Sequence, residues 1–172
     1  MPDKHFFQKQ FNLLVKWMTI CLLISVGVGS ITAFFLYTLD IATTFRETHF
    51  WIIYTLPLTG LLIGYIYHHY GENANKGNNA IIDAHHNAQH SIPFKMAPLV
   101  YIGTILTHLS GGSAGREGTA VQIGGAMATP FSKWFKLNQE ENKTIIIMGV
   151  SAGFAAVFGT PWAGAVFALE IM

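Results

Sequence analysis

The sequence predicts an all-α polytopic membrane protein, and its composition and two long apolar stretches carry this prediction. Of 172 residues, 51% are hydrophobic and 11% are charged, whereas soluble domains average roughly 25% charged residues. The first apolar stretch, Leu13–Leu39, contains one charged residue, Lys16, and the second runs from His49 to about Tyr70 with none. Because about 20 predominantly apolar residues cross a ~30 Å hydrocarbon core, each stretch is long enough to span a membrane.

The residues before the first stretch indicate how it is oriented. Residues 1–12 are polar and include Lys4 and Lys9, and basic residues ahead of a first span favour a cytoplasmic N-terminus. The stretch is too long for a signal peptide, so we expect a retained span in the cell membrane. Asp40–Thr48 is then predicted to form a short external loop.

Charge, cysteine and histidine content exclude several other functions. A net charge of +1 offers no field for nucleic acid, and Cys21 lies within the first apolar stretch as a small hydrophobe. The sequence lacks a nucleophile–base pair and a nucleotide-binding loop, so neither enzyme activity nor a cofactor is expected. The pairs His68-His69 and His85-His86 suggest a metal site, but adjacent helical residues point about 100° apart and cannot share one ion. No metal site is predicted.

From Gly71 to Pro93 the chain is too polar to face lipid as an ordinary span. Within it, Gly77-Asn78-Asn79 directly precedes the apolar run Ala80-Ile81-Ile82. Asn is a favoured N-cap, so a short helix is predicted to begin there. Capping and anion contact are equally good explanations of the two asparagines, and they are compatible.

Two part-length apolar segments then flank a glycine-rich break. Met96–Leu109 is shorter than a full span, Ser110–Thr119 is rich in glycine, and Ala120–Phe131 is again short and apolar. In transporters, half-helices that meet near the membrane midplane direct their N-terminal N–H groups at an anion. His108, beside the break, is interpreted as a satisfied buried histidine.

The end of the chain predicts two more helices. A hydrophobic stretch, Thr144–Phe158, follows a polar loop, and Pro161 suits the first turn of a last helix that continues as Trp162–Met172. The pairs Gly60-xxx-Gly64 and Gly149-xxx-Gly153 are predicted to let helices approach closely.

The break contains Gly115-Arg116-Glu117-Gly118-Thr119, and ionisable residues at membrane depth indicate function. Backbone N–H groups at a helix start bind anions, and a carboxylate there competes for the same site. Glu117 is therefore the predicted gate and proton carrier. The plainer alternative is a surface loop in which Arg116 and Glu117 neutralise each other; the short, apolar flanking segments disfavour it.

These residues resemble the CLC family of anion channels and proton-coupled antiporters. Gly-Arg-Glu-Gly followed by Val121-Gln122-Ile123-Gly124-Gly125 is similar to one family segment, and Thr160–Glu170 resembles the later Pro-x-Ala-Gly-x-x-Phe-x-x-Glu segment. The resemblance covers essentially the whole chain. It implies that Glu117 is the external gating glutamate and that the chain, 1–172, is the first half of an inverted repeat with long tilted helices and short half-helices, the second repeat being missing.

Three departures from the family pattern bear on the anion. Gly77-Asn78-Asn79-Ala80-Ile81 replaces the common Gly-Ser-Gly-x-Pro, Thr119 replaces a proline as in the fluoride-exporting branch, and Ile171 replaces the second glutamate of the Glu-Glu pair of chloride/proton antiporters. The resemblance thus implies a homodimeric fluoride/proton antiporter in membrane lipid. A chloride channel and a truncated, non-transporting fragment are the alternatives. The implied anion-binding residues are Gly77, Asn78, Asn79, Gly115, Arg116, Gly118 and Thr119.

Overall fold

The computed structural model describes residues 4–86 and 92–171, so that residues 87–91, with His90 of the polar segment, lie outside the described residues. Within these ranges the chain folds into seven α-helices without a β-strand. They are α1 (Lys4–Thr48), α2 (Leu56–Tyr70), α3 (Asn78–His86), α4 (Met96–Leu109), α5 (Arg116–Trp134), α6 (Gln139–Phe158) and α7 (Pro161–Ile171). Short 3-10 segments, Phe50–Thr55 and Glu72–Lys76, join α1 to α2 and α2 to α3.

Helix α1 buries one narrow face along most of its length. Its buried residues recur every three or four positions, as expected for one face of a helix; they are Ile20, Ile24, Val28, Thr32, Phe35, Leu39 and Ala42. The other faces expose large apolar side chains such as Leu22, Val26 and Phe34. A helix of 45 residues is roughly 67 Å long at 1.5 Å per residue, about twice the hydrocarbon thickness, so it either tilts or extends into water.

The predicted external loop at Asp40–Thr48 is wrong, because α1 continues through Thr48. Ala42 extends the buried stripe, and the Thr43 hydroxyl donates to the Leu39 carbonyl one turn back. Arg46 lies in the last turn, where a cation is favoured by the helix dipole. The buried apolar residues keep their helical spacing through this segment, so its few polar residues do not end the helix. Helix α1 ends before His49 instead.

Three helical segments among the described residues are long and apolar enough to cross a membrane: Phe7–Thr48, Phe50–Tyr70 and Gln139–Phe158. The first two confirm the long apolar stretches of the sequence. The third begins earlier than the predicted Thr144 because Asn138 and Glu141 form a capping box that starts α6. Glu141 also accepts a hydrogen bond from Lys16 at 2.8 Å, which joins the start of α6 to the N-terminal part of α1.

Helices α5 and α6 cross at closely packed glycines. A Cβ on Gly149 would collide with the carbonyl oxygen of Gly124, and one on Gly153 with that of Ala120. The close approach predicted from Gly149-xxx-Gly153 is confirmed. For the Gly60-xxx-Gly64 pair on α2, in contrast, nothing lies within 4 Å of either added Cβ. Among the described residues, the Gly149-xxx-Gly153 pair therefore lies at a close contact between helices, and the Gly60-xxx-Gly64 pair does not.

Candidate anion-binding site

The N-termini of α3 and α5 lie side by side. Gly77 precedes α3 with φ +58, a conformation that glycine adopts more readily than other residues, and Asn78 is the first helical residue rather than a cap. A Cβ on Gly118, in the first turn of α5, would lie 3.6 Å from Asn78 Nδ2. The glycine at position 118 therefore leaves room for the asparagine side chain beside the start of α5.

A hydrogen bond joins the two helices at this point. Gln122 Nε2 donates to Asn78 Oδ1 at 2.9 Å, across 44 positions of sequence and in partly buried surroundings. Gln122 lies one turn after Gly118, on the same face of α5. Reasoning from the sequence did not single out Gln122, because only the packing of α3 on α5 brings it to Asn78.

Helix α5 begins at Arg116, so the glycine-rich break is shorter than predicted and Arg116–Thr119 forms the first turn. A first turn tolerates polar residues and glycine because its N–H groups have no partner within the helix. Gly115 is the N-cap in an extended conformation (φ −73, ψ 119) and supplies no side-chain cap. The N–H groups of this turn are thus uncapped by a side chain, as an anion-binding helix start requires.

Arg116 and Glu117 interact weakly at this helix start. Arg116 Nε lies 3.8 Å from Glu117 Oε1, and the two side chains are 56% and 43% exposed. Exposed pairs of this kind contribute little. The other carboxylate oxygen, Oε2, lies 3.4 Å from where a Cβ on Gly115 would be. Glu117 therefore folds back over the start of its own helix, and its pairing with Arg116 does not lock it there.

Glu117 faces an open cavity of about 490 Å³. The lining comes from α1, from the end of α4 and from the start of α5; its residues are Leu36, Leu39, Asp40, Thr43, His108, Ala114, Gly115, Arg116 and Glu117. Asp40, which was predicted to lie in a loop, and His108, which was interpreted as a satisfied buried histidine, are lining residues that were not predicted as site residues. Once α1 is known to continue, the helical spacing of Leu36, Asp40 and Thr43 would have placed Asp40 on this face.

His108 is tied to its own helix within this cavity. Its Nδ1 lies 3.0 Å from the Thr104 carbonyl oxygen. Because a carbonyl only accepts hydrogen bonds, Nδ1 carries the proton of this bond, and Nε2 is left as the second polar atom of the ring. The predicted hydrogen bond of this histidine is confirmed, but the predicted burial is wrong, because His108 is only partly buried and lines the open cavity.

Hydroxyl pairs fix the start of α5. The Thr119 and Thr104 hydroxyls lie 2.7 Å apart in buried surroundings, and Thr119 also donates to the Gly115 carbonyl at 3.3 Å. Ser110 donates to Thr59 at 2.7 Å and ties the loop before α5 to α2. The Thr119 side chain thus bonds within the fold, and its contact with an anion stays a prediction.

The structure brings the predicted site residues together only in part. Gly115, Arg116 and Glu117 line the cavity, whereas Asn78 lies beside Gly118 and is not among the lining residues. Asn79 is exposed in the first turn of α3. The first turn of α5 therefore contains Arg116 and Glu117 and lies beside Asn78.

Two known proteins show how this chain is related to anion transporters. The chain is 48% identical over 167 residues to a chloride/fluoride channel protein of Pseudomonas syringae pv. tomato, covering 95% of this chain and 37% of that protein. It is 34% identical over 80 residues to the H(+)/Cl(-) exchange transporter ClcA of Vibrio cholerae, covering 46% of this chain and 17% of that protein. The chain thus spans well under half the length of these relatives.

A solved structure and a family model agree with these relatives. The fold matches the crystal structure of a CLC-type fluoride/proton antiporter with a TM-score of 0.86 and 39% identity, over 91% of this chain and 40% of that one. The match confirms the predicted all-helical membrane fold. The model of the voltage gated chloride channel family matches residues 59–172. The chain therefore belongs to the voltage gated chloride channel family.

Proposed function

We propose that this chain is the first half of a transport unit that exchanges fluoride for protons across the cell membrane. The observation that carries the proposal is the position of Glu117, whose carboxylate lies over the uncapped N-terminus of α5 at an open cavity. N–H groups at this helix start attract an anion. The ionised carboxylate occupies that place, and protonation releases it, so anion passage is joined to proton movement.

Fluoride is favoured over chloride by two departures from the family pattern, one beside this helix start and one at the end of α7. An asparagine amide, Asn78, stands where the common family segment has a serine, and Ile171 follows Glu170 where chloride/proton antiporters have a second glutamate. The names of the relatives that cover nearly all of this chain also include fluoride. A chloride channel is the second candidate, because channels also lack that glutamate.

The complete transport unit requires more sequence than these residues. The chain covers 37% and 40% of the two relatives that match most of it, and a cavity open on one side does not enclose an ion. We infer a homodimer of the complete protein, embedded in lipid through the exposed apolar faces of α1 and α2 and without enzyme activity. If this chain is made alone, we expect it to move no anion.

The cytoplasmic N-terminus is tested by labelling. In a Cys21→Ala background, Lys9→Cys is expected to react with a membrane-impermeant maleimide only after cells are opened. Glu47→Cys, at the far end of the same span and 62% exposed, is expected to react in intact cells, because one crossing separates the two positions. The reverse pattern would show the opposite orientation.

Transport is tested in liposomes that contain the purified full-length protein, a fluoride or chloride gradient and a pH-sensitive dye. We expect fluoride to move much faster than chloride, with protons moving in the opposite direction. If chloride moves as readily as fluoride and no proton moves with either, the channel proposal replaces antiport. Liposomes with residues 1–172 alone provide the control for the incomplete unit.

A further inference from the structure

We propose that Gln122 is a positioning residue that fixes the amide of Asn78 so that its N–H groups, and not its oxygen, face the start of α5. The inference rests on the proposed function, because it assigns the amide to the same anion path. It adds a residue that does not itself contact the anion.

An asparagine has two chemically opposite sides. Its amide presents an acceptor oxygen on one side and two N–H donors on the other, whereas a serine hydroxyl rotates to suit any partner. An asparagine beside an anion path therefore helps or hinders binding according to which side faces the anion. Something must set that orientation.

In this structure the bond from Gln122 to Asn78 described above is compatible with one orientation of the asparagine amide, the one with its oxygen towards Gln122. Gln122 Nε2 donates to Asn78 Oδ1 at 2.9 Å, which occupies the oxygen. No residue of 4–86 or 92–171 accepts a hydrogen bond from Asn78 Nδ2, so this donor is left free. Nδ2 is also the atom nearer to Gly118, since a Cβ there would lie 3.6 Å from Nδ2 and 3.9 Å from Oδ1.

The neighbouring backbone leaves Gln122 room to reach this position. Gly77 lies next to this amide, because Gln122 Nε2 is 3.8 Å from where a Cβ on Gly77 would be. The free N–H groups of Asn78 thus supplement the backbone N–H groups of the first turn of α5. A small anion of high charge density gains most from such converging donors, because hydrogen bonds to charged acceptors are the strong ones.

The test uses a near-isosteric change in the full-length protein. Gln122→Glu replaces the donor by a carboxylate, which only accepts, so Asn78 must turn its N–H groups towards position 122 and its oxygen towards the anion path. We expect the fluoride concentration for half-maximal transport to rise by about tenfold or more, with a smaller change in maximal rate. Gln122→Met, which removes the bond without reversing the amide, is expected to give a smaller rise.

A second background separates orientation from the added charge. In Asn78→Ser, whose hydroxyl rotates freely, Gln122→Glu is expected to lose most of its effect. The same rise in both backgrounds would assign the effect to charge repulsion and overturn the inference. An unchanged half-maximal fluoride concentration in Gln122→Glu would also overturn the inference. If Gln122→Glu does not fold, an unchanged half-maximal fluoride concentration in Gln122→Met would overturn it. Failure of the unmodified protein to move fluoride would instead count against the proposed function.

Discussion

Replacing Glu117 with glutamine is expected to reduce proton movement to background while fluoride still passes. The glutamine side chain keeps the size of the carboxylic acid but cannot release a proton. It also carries no negative charge that competes for the N-terminus of α5, where N–H groups favour an anion. The measurement is the proton flux and fluoride flux of the same liposomes, taken together.

A matched variant makes this result specific. Glu140→Gln removes a carboxylate at the start of α6 that is 80% exposed and forms an ion pair with Lys143. It is expected to leave both fluxes unchanged. Unchanged coupling in Glu117→Gln would remove this residue from the mechanism, and loss of both fluxes would indicate a role in folding or binding alone.

Replacing Gly149 with alanine is expected to destabilise the protein by about 1–3 kcal/mol, the usual cost of overpacking. The new methyl group would collide with the Gly124 carbonyl oxygen and would lie 2.7 Å from the Ala128 methyl group. Because one obstacle is backbone, α5 and α6 must separate to admit it. The measurement is the midpoint of thermal unfolding of the full-length protein in detergent.

Gly64→Ala is the control for the general effect of alanine in a helix. No atom of residues 4–86 or 92–171 lies within 4 Å of an added Cβ at Gly64, and alanine is favoured over glycine within a helix by about 1 kcal/mol. This variant is expected to be neutral or slightly more stable in detergent. Equal loss in both variants would contradict a close crossing of α5 and α6.

The lengths of the apolar segments and the spacing of their apolar residues predicted most of the helices. Helix α4 matches the predicted Met96–Leu109, and α7 begins at Pro161 as expected. The starts of α5 and α6 were placed too late because both first turns are polar, in α5 with Arg116 and Glu117 and in α6 with a capping box. The N–H groups of a first turn have no partner within the helix, so polar residues are tolerated there. A prediction that begins each helix at its first apolar residue leaves this turn out.

The candidate site was predictable where its residues are consecutive and not where packing assembles it. Glu117 and its neighbours stand in one segment, so their place next to a helix start followed from the sequence, although the helix begins earlier than predicted, at Arg116. The bond from Gln122 to Asn78 depends on how α3 lies against α5, and the position of Asp40 depends on the continuation of α1. Neither is visible as a local pattern.

The hydroxyl pair of Thr104 and Thr119 bears on how a gate at Glu117 would move. The pair holds the first turn of α5 to α4, and the glycine crossing holds the same helix to α6. Because α5 is held by contacts on two sides, the backbone of its N-terminal end stays in place. The only group that then has to move is the Glu117 carboxylate, by rotation about its side-chain bonds. Such a rotamer change takes picoseconds to nanoseconds when the side chain is exposed. Opening in the proposed transporter would thus wait on the arrival of a proton and not on the displacement of a helix.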